Sequence, residues 1–361
     1  MHGGNWRWAK ETYDRELFID LSANINAFGP PPGVWNALQA ALPEIVHYPD
    51  PESRLLTMAL AAKAKIPPQQ ILTGNGAGEL IYTVMLALKP NRVAIPVPAF
   101  SEYGRAAAAV GASIMPIPLG AEGWESLAHA GHDREFWRQW ERAVNECDLA
   151  VVCSPHNPTG SMLNYADFVR MFEIAVDSKC HILFDESFYD FLPDSRRWSA
   201  RCLVSEASRL IVLYSLTKFF ALPGLRLGAV FAEPRVIDCL RRHRDPWSVN
   251  ILAEAAGVSA LADDEFPAWA RQQNAASKEH LFRRFEELRF NKFRLLPSSA
   301  NFALIEVQDR TSGELATALG RQGLLVRDCA DFLGLDGQFI RVAIKDISSM
   351  DALLAAFDGL R

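Results

Sequence analysis

Lys218 ends the run Tyr214-Ser215-Leu216-Thr217-Lys218, just after an apolar stretch from Leu210 to Leu213. Burying a lysine is costly unless its charge is paired, shifted or consumed by chemistry. A Schiff base with an aldehyde consumes it. Ser215, Thr217 and Arg226, the last in Leu225-Arg226-Leu227-Gly228, are then the donors that a nearby phosphate requires. The same residues also fit a lysine snorkelling from a strand end and an arginine on a surface turn, so partners must come from elsewhere in the chain.

Three other segments offer them. Thr73-Gly74-Asn75-Gly76-Ala77-Gly78-Glu79 opens an apolar helical stretch, Leu80 to Leu88. Its glycines let backbone N–H groups approach an anion at a helix N-terminus, although an ordinary glycine-rich turn has the same composition. It has neither the GKS/T of a P-loop nor the GxGxxG spacing of a dinucleotide site. Ser154-Pro155-His156-Asn157-Pro158-Thr159-Gly160 follows a strand-like run, and its two prolines rigidify a turn around Asn157, whose amide is suited to a ligand oxygen. Asp185 closes another such run, where a buried carboxylate needs a partner such as a protonated ring nitrogen, or else serves as a helix cap.

These residues need strands to carry them. Arg92–Ile95, Leu149–Cys153, His181–Phe184, Arg209–Tyr214 and Gly228–Ala232 are expected strands. Phe168, Met171, Phe172 and Ala175 mark one face of a helix between two of them. The alternation predicts an α/β fold with a mostly parallel sheet covered by helices. The link between the last two strands is too short for a crossover helix, so an antiparallel neighbour and a mixed sheet are expected there. Beyond about residue 245 the pattern becomes α+β. Helices are expected over Ile251–Ala262, Phe266–Arg289 and Gly313–Gln322, and strands over Phe302–Val307, Leu324–Arg327 and Gln338–Ala343. Residues 1–40 are expected to form an arm, 41–245 a large domain and 246–361 a small one.

The chain has 361 residues, 49% of them hydrophobic and 22% charged, which suits a soluble globular protein. A net charge of −6 argues against non-specific attraction to nucleic acid or anionic membranes. Neither a signal peptide nor an uninterrupted membrane span is expected, and the six cysteines form no CxxC, which points to the cytoplasm. No histidine pair has metal-ligand spacing.

Taken in order, the Gly-rich loop, Phe100 in Pro98-Ala99-Phe100-Ser101-Glu102-Tyr103, Asn-Pro-x-Gly, Asp-Glu, Ser-x-x-Lys and Arg-x-Gly resemble the fold-type I aminotransferase superfamily, which depends on pyridoxal 5'-phosphate. Ser22-Ala23-Asn24-Ile25-Asn26, His47-Tyr48-Pro49-Asp50-Pro51, Val326-Arg327-Asp328 and Ile340-Arg341-Val342 are similar to the histidinol-phosphate aminotransferase branch. His2-Gly3-Gly4-Asn5 and the segment from Gly323 through Cys329 to Phe332 look like the L-threonine O-3-phosphate decarboxylases of cobalamin biosynthesis.

The resemblance implies a large domain with a mixed sheet, a smaller α+β domain and a homodimer with shared active sites. Lys218 would carry the cofactor and shuttle a proton, and Asp185 would keep its ring nitrogen protonated. Asn157 would bond its phenolic oxygen, and Phe100 would stack on its ring. Gly76, Ala77, Ser215, Thr217 and Arg226 would bind its phosphate, together with Tyr48 from the neighbouring subunit. Phe188 stands where many relatives carry a tyrosine that also bonds the phenolic oxygen. Arg327 and His2 would hold a substrate phosphate, while Arg341 and Asn26 orient its carboxylate. The implied reaction is decarboxylation of a phosphorylated amino acid. Histidinol-phosphate transamination is the alternative, and a non-catalytic regulator on the same fold would be expected to have lost Lys218 or Asp185.

Overall fold

The computed structural model describes residues 3–128, 132–193, 198–204 and 209–360; His2, expected at the substrate, lies outside them. A seven-stranded sheet runs in the spatial order Ile71–Gly74, Gly228–Phe231, Leu210–Ser215, His181–Asp185, Leu149–Cys153, Arg92–Val97, Ser113–Pro118. Gly228–Phe231 is antiparallel to both its neighbours, and the remaining pairs are parallel. Successive residues of the central strands enter opposite cores. Ala150, Val152, Ile182, Phe184, Leu210 and Val212 pack on one face, and Leu149, Val151, Leu183, Ile211 and Leu213 on the other. Burial on both faces is why these strands read as continuous apolar runs.

Ser113–Pro118 was not expected from the sequence. It is an edge strand, mostly exposed, and its Pro116 and Pro118 are tolerated only because an edge leaves one row of N–H groups unpaired.

A second, antiparallel sheet has the order Arg327–Asp328, Phe339–Ala343, Phe302–Val307, Phe293–Leu295. The single strand expected over Leu324–Arg327 is divided. Leu324–Leu325 pairs in parallel with Ile19–Asp20, and Arg327–Asp328 joins the antiparallel sheet. Two helices, Trp6–Tyr13 and Gly33–Ala41, flank Ile19–Asp20 in sequence, and the second lies on the helix Ile251–Ala262. Ala253, Ala256 and Ala260 of Ile251–Ala262 share a core with the seven-stranded sheet. In the long helix Phe266–Leu288, Phe266 and Ala270 belong to that same core, whereas Leu281 and Phe285 belong to the core of the smaller sheet. Core membership changes along this helix, downstream of residue 245.

Candidate active site

The C-terminal ends of the parallel strands converge on a cleft of about 480 Å³. Asp185 is the last residue of its strand, Asn157 follows Leu149–Cys153, and Lys218 lies in the short helix Leu216–Phe219 directly after Leu210–Ser215. Ligands bind at this edge of α/β sheets because the loops there are free to diverge around them.

One end of the cleft is built to receive an anion. The helix Gly76–Leu88 starts there, with Ala77 and Gly78 lining the wall. Gly76 has φ +82°, a conformation that favours glycine, and the absent side chain leaves room for the Arg226 guanidinium. Ser215 Oγ and Thr217 Oγ1 lie 2.6 Å apart, and Ser215 also caps the short helix that carries Lys218. The exposed Arg226 side chain completes the group. A helix N-terminus, two hydroxyls and a guanidinium match a phosphate dianion.

Asp185 also lines the cleft and is almost fully buried. Its Oδ2 accepts from the Tyr103 hydroxyl at 2.5 Å, and its Oδ1 from Ser187 N at 2.8 Å. Burial pushes its pKa up, while the Ser187 and Tyr103 hydrogen bonds pull the other way. Lys218 is depressed to about 8, first by burial and then by the nearby Arg341 and Arg226 charges, with Asp185 opposing. A sizeable fraction of its amine is therefore neutral at physiological pH. Phe100 lines the cleft and meets Tyr103 edge-on, with ring centroids 5.7 Å apart. Phe188 also lines it and packs on Phe302 at 4.8 Å, whereas Tyr189 lies against the Arg201 guanidinium instead.

The small domain contributes two arginines. Arg327 and Arg341 are Cα partners on adjacent antiparallel strands, so they project from the same face of the sheet into the cleft. Both are largely buried. Arg327 Nη2 binds both oxygens of Asp331, at 2.6 and 2.8 Å. Arg341 donates to Asn157 Oδ1 at 2.5 Å and to Ser22 O at 3.1 Å, and its Nε has no hydrogen-bond partner among the described residues. Burial pulls its pKa down to about 10. Two like charges side by side, one without a carboxylate among the described residues, form a site with a strong demand for anions.

One of the expected substrate residues lies elsewhere. Asn26 is a correction: its Nδ2 donates to Phe219 O at 2.8 Å, and its Oδ1 accepts from Phe28 N at 3.2 Å. Its own N–H donates to Lys218 O at 2.9 Å. It ties the segment around Asn26 to the lysine segment and is not among the residues lining the cleft. Asn24 is one of them, buried, with Oδ1 unpartnered among the described residues. Both asparagines belong to one motif, and the hydrogen bonds of Asn26 to Phe219 O and Phe28 N set it apart from Asn24. Asn24→Ala is expected to raise the substrate KM about tenfold with little change in Tm, as befits loss of one hydrogen bond to a charged ligand. Asn26→Ala leaves Phe219 O unpaired and should cost about 1–3 kcal/mol of stability in thermal or denaturant unfolding. Tyr48 lies outside the cleft of its own chain, 78% exposed and stacked on Trp247 at 4.6 Å.

The cleft fits pyridoxal 5'-phosphate: an anion cradle, a buried carboxylate and a lysine of depressed pKa all line it. The sequence matches the family model described as aminotransferase class I and II over residues 16–357. It is 36% identical to the threonine-phosphate decarboxylase of Salmonella typhimurium, over 98% of this chain and 95% of that protein. It is 28% identical to the adenosylcobalamin biosynthesis bifunctional protein CobDQ of Leptospira interrogans, over 99% of this chain and 41% of that protein. The histidinol-phosphate aminotransferase structure from Clostridium acetobutylicum superposes with a TM-score of 0.83 at 25% identity, covering 94% of this chain and 98% of that one. The chain belongs to the aminotransferase class I and II family.

Proposed function

We propose that this pyridoxal-phosphate-dependent enzyme decarboxylates L-threonine O-3-phosphate to (R)-1-amino-2-propanol O-2-phosphate for cobalamin biosynthesis. The observation that carries it is the pair of cleft-facing arginines, Arg327 and Arg341, which together match a substrate with one phosphate and one carboxylate. The names of the Salmonella and Leptospira relatives support the same substrate and the same biosynthetic route.

Lys218 would hold the cofactor covalently, Asp185 its ring nitrogen, Asn157 its phenolic oxygen and Phe100 its ring face. Gly76, Ala77, Ser215, Thr217 and Arg226 would hold its phosphate. When bound, the cofactor supplies an electron sink conjugated with the substrate's α-carbon. The bond that breaks is the one the site turns perpendicular to that sink, so orientation selects the reaction. Arg341, fixed by Asn157 and Ser22, orients the carboxylate with Asn24 beside it. Arg327, fixed by Asp331, takes the substrate phosphate. The carboxylate leaves as CO2 and the α-carbon takes up a proton, for which the Lys218 amine is suited by its pKa of about 8.

The active unit in this proposal is a homodimer in which Tyr48 reaches the partner's cofactor phosphate. Its support is the exposed apolar group of Leu42, Ile45, Val46 and Tyr48, which stacks on Trp247. The net charge of −6 accords with a protein of the cytoplasm that binds neither nucleic acid nor lipid surfaces. Among the described residues, no helix is long and apolar enough to cross a membrane.

The deciding assay supplies O-phospho-L-threonine to the holoenzyme without any keto acid. The expected result is CO2 release matched by aminopropanol phosphate. Glutamate production from histidinol phosphate and 2-oxoglutarate, with no CO2 from phosphothreonine, would replace the proposal with transamination.

A further inference from the structure

Tyr103 stands on the helix Ser101–Ala109, just after Phe100, and its side chain is almost fully buried. Its hydroxyl donates to Asp185 Oδ2 at 2.5 Å, while Ser187 N donates to Oδ1 at 2.8 Å. Each carboxylate oxygen thus has its own fixed donor, and the rotation of the group is locked. The other titratable groups facing Asp185 are the Cys153 thiol, also drawn to the Tyr103 hydroxyl, and the Lys218 amine. Burial alone favours the protonated carboxyl, so the donors carry much of the work of keeping Asp185 charged.

We propose that Tyr103 is a positioning residue that keeps the Asp185 carboxylate ionised and aimed, so that the proton shared with the cofactor's ring nitrogen stays on the nitrogen. This rests on Asp185 being the partner of that nitrogen. A donor to a carboxylate lowers its proton affinity. Without the Tyr103 hydroxyl, Asp185 becomes the stronger base and draws the shared proton towards itself. The ring then loses positive charge and withdraws electrons less well. Tyr103 does this without giving up its own proton, because burial and the Asp185 charge push its pKa well up. The edge-on contact with Phe100 fixes the phenol from the side that faces the cleft.

The experiment uses holoenzyme loaded with nitrogen-15-labelled cofactor, whose ring-nitrogen chemical shift reports protonation directly. Tyr103→Phe keeps the ring and its packing, and its Tm checks the fold. The expected result is a ring-nitrogen signal moved towards the unprotonated position at neutral pH. With it should come a fall in kcat of about tenfold to hundredfold at nearly unchanged KM, the value of one hydrogen bond to a charged group. Asp185→Asn should move the signal at least as far and weaken cofactor binding. A Tyr103→Phe signal identical to wild type, with Asp185→Asn shifted, overturns the role of Tyr103 and leaves Asp185 in place. An Asp185→Asn protein with a wild-type signal and wild-type cofactor affinity overturns the assignment of Asp185, and the role of Tyr103 with it.

Discussion

Lys218→Ala protein, saturated with cofactor, should form no adduct that borohydride can trap, and its turnover should fall by about 10⁴-fold. The expectation follows from the position of the amine. It feels both the Arg226 charge and the buried Asp185 carboxylate, and among the described residues it is the one lysine lining this cleft. Its pKa of about 8 adds a pH signature. Only the neutral amine attacks an aldehyde. The rate at which cofactor loads onto apoprotein should therefore rise with pH and level off above about 8, where an ordinary lysine would still be climbing near ~10.4. The stability of the apoprotein follows the same sign. The folded pKa lies below the unfolded one, so the unfolded chain binds more protons between these values, and stability rises as pH increases through that window. A loading rate that keeps climbing past pH 10, or a trapped adduct in Lys218→Ala, would show that another amine carries the cofactor.

How much of this site could be read from the chain depended on how local each signal was. The strands ending at Asp185 and Ser215 and the turn at Asn157 were legible because strands buried on both faces are apolar throughout and loops with two prolines stand out. The antiparallel Gly228–Phe231 was legible too, because its connection is too short for a crossover. Ser113–Pro118 was hidden because exposure and proline erase the strand pattern at an edge. The division of Leu324–Arg327 was hidden for a different reason: its partner Ile19–Asp20 lies some three hundred residues away, and no local pattern announces such pairing. Asn24 and Tyr103 were missed because their roles are settled by distant atoms, the Phe219 carbonyl that occupies Asn26 and the carboxylate of Asp185. Residue type and spacing marked the groups that line the cleft; only tertiary contacts separate Asn24, which faces it, from Asn26, which holds the Phe219 carbonyl.

Substitution of the two arginines should separate the two anions of the substrate. Arg341→Gln removes the buried guanidinium that has no carboxylate partner among the described residues, and the substrate carboxylate loses its counter-charge. The expected rise in KM for O-phosphothreonine is about 10²–10³-fold, the scale for breaking a buried, hydrogen-bonded charge pair. Cofactor affinity should barely change, but the loading profile should shift to higher pH, since Arg341 is the largest charge lowering the Lys218 pKa. Arg327→Gln should behave differently. Its charge is already shared with Asp331, whose side chain is half exposed and can be rehydrated, so the loss of stability is small. What it should remove is competitive inhibition by inorganic phosphate, together with the preference for phosphothreonine over threonine. If Arg341→Gln abolishes phosphate inhibition and Arg327→Gln retains it, the two assignments exchange. The carboxylate would then sit under Arg327, away from Asn24, and the orientation that selects decarboxylation would need another source.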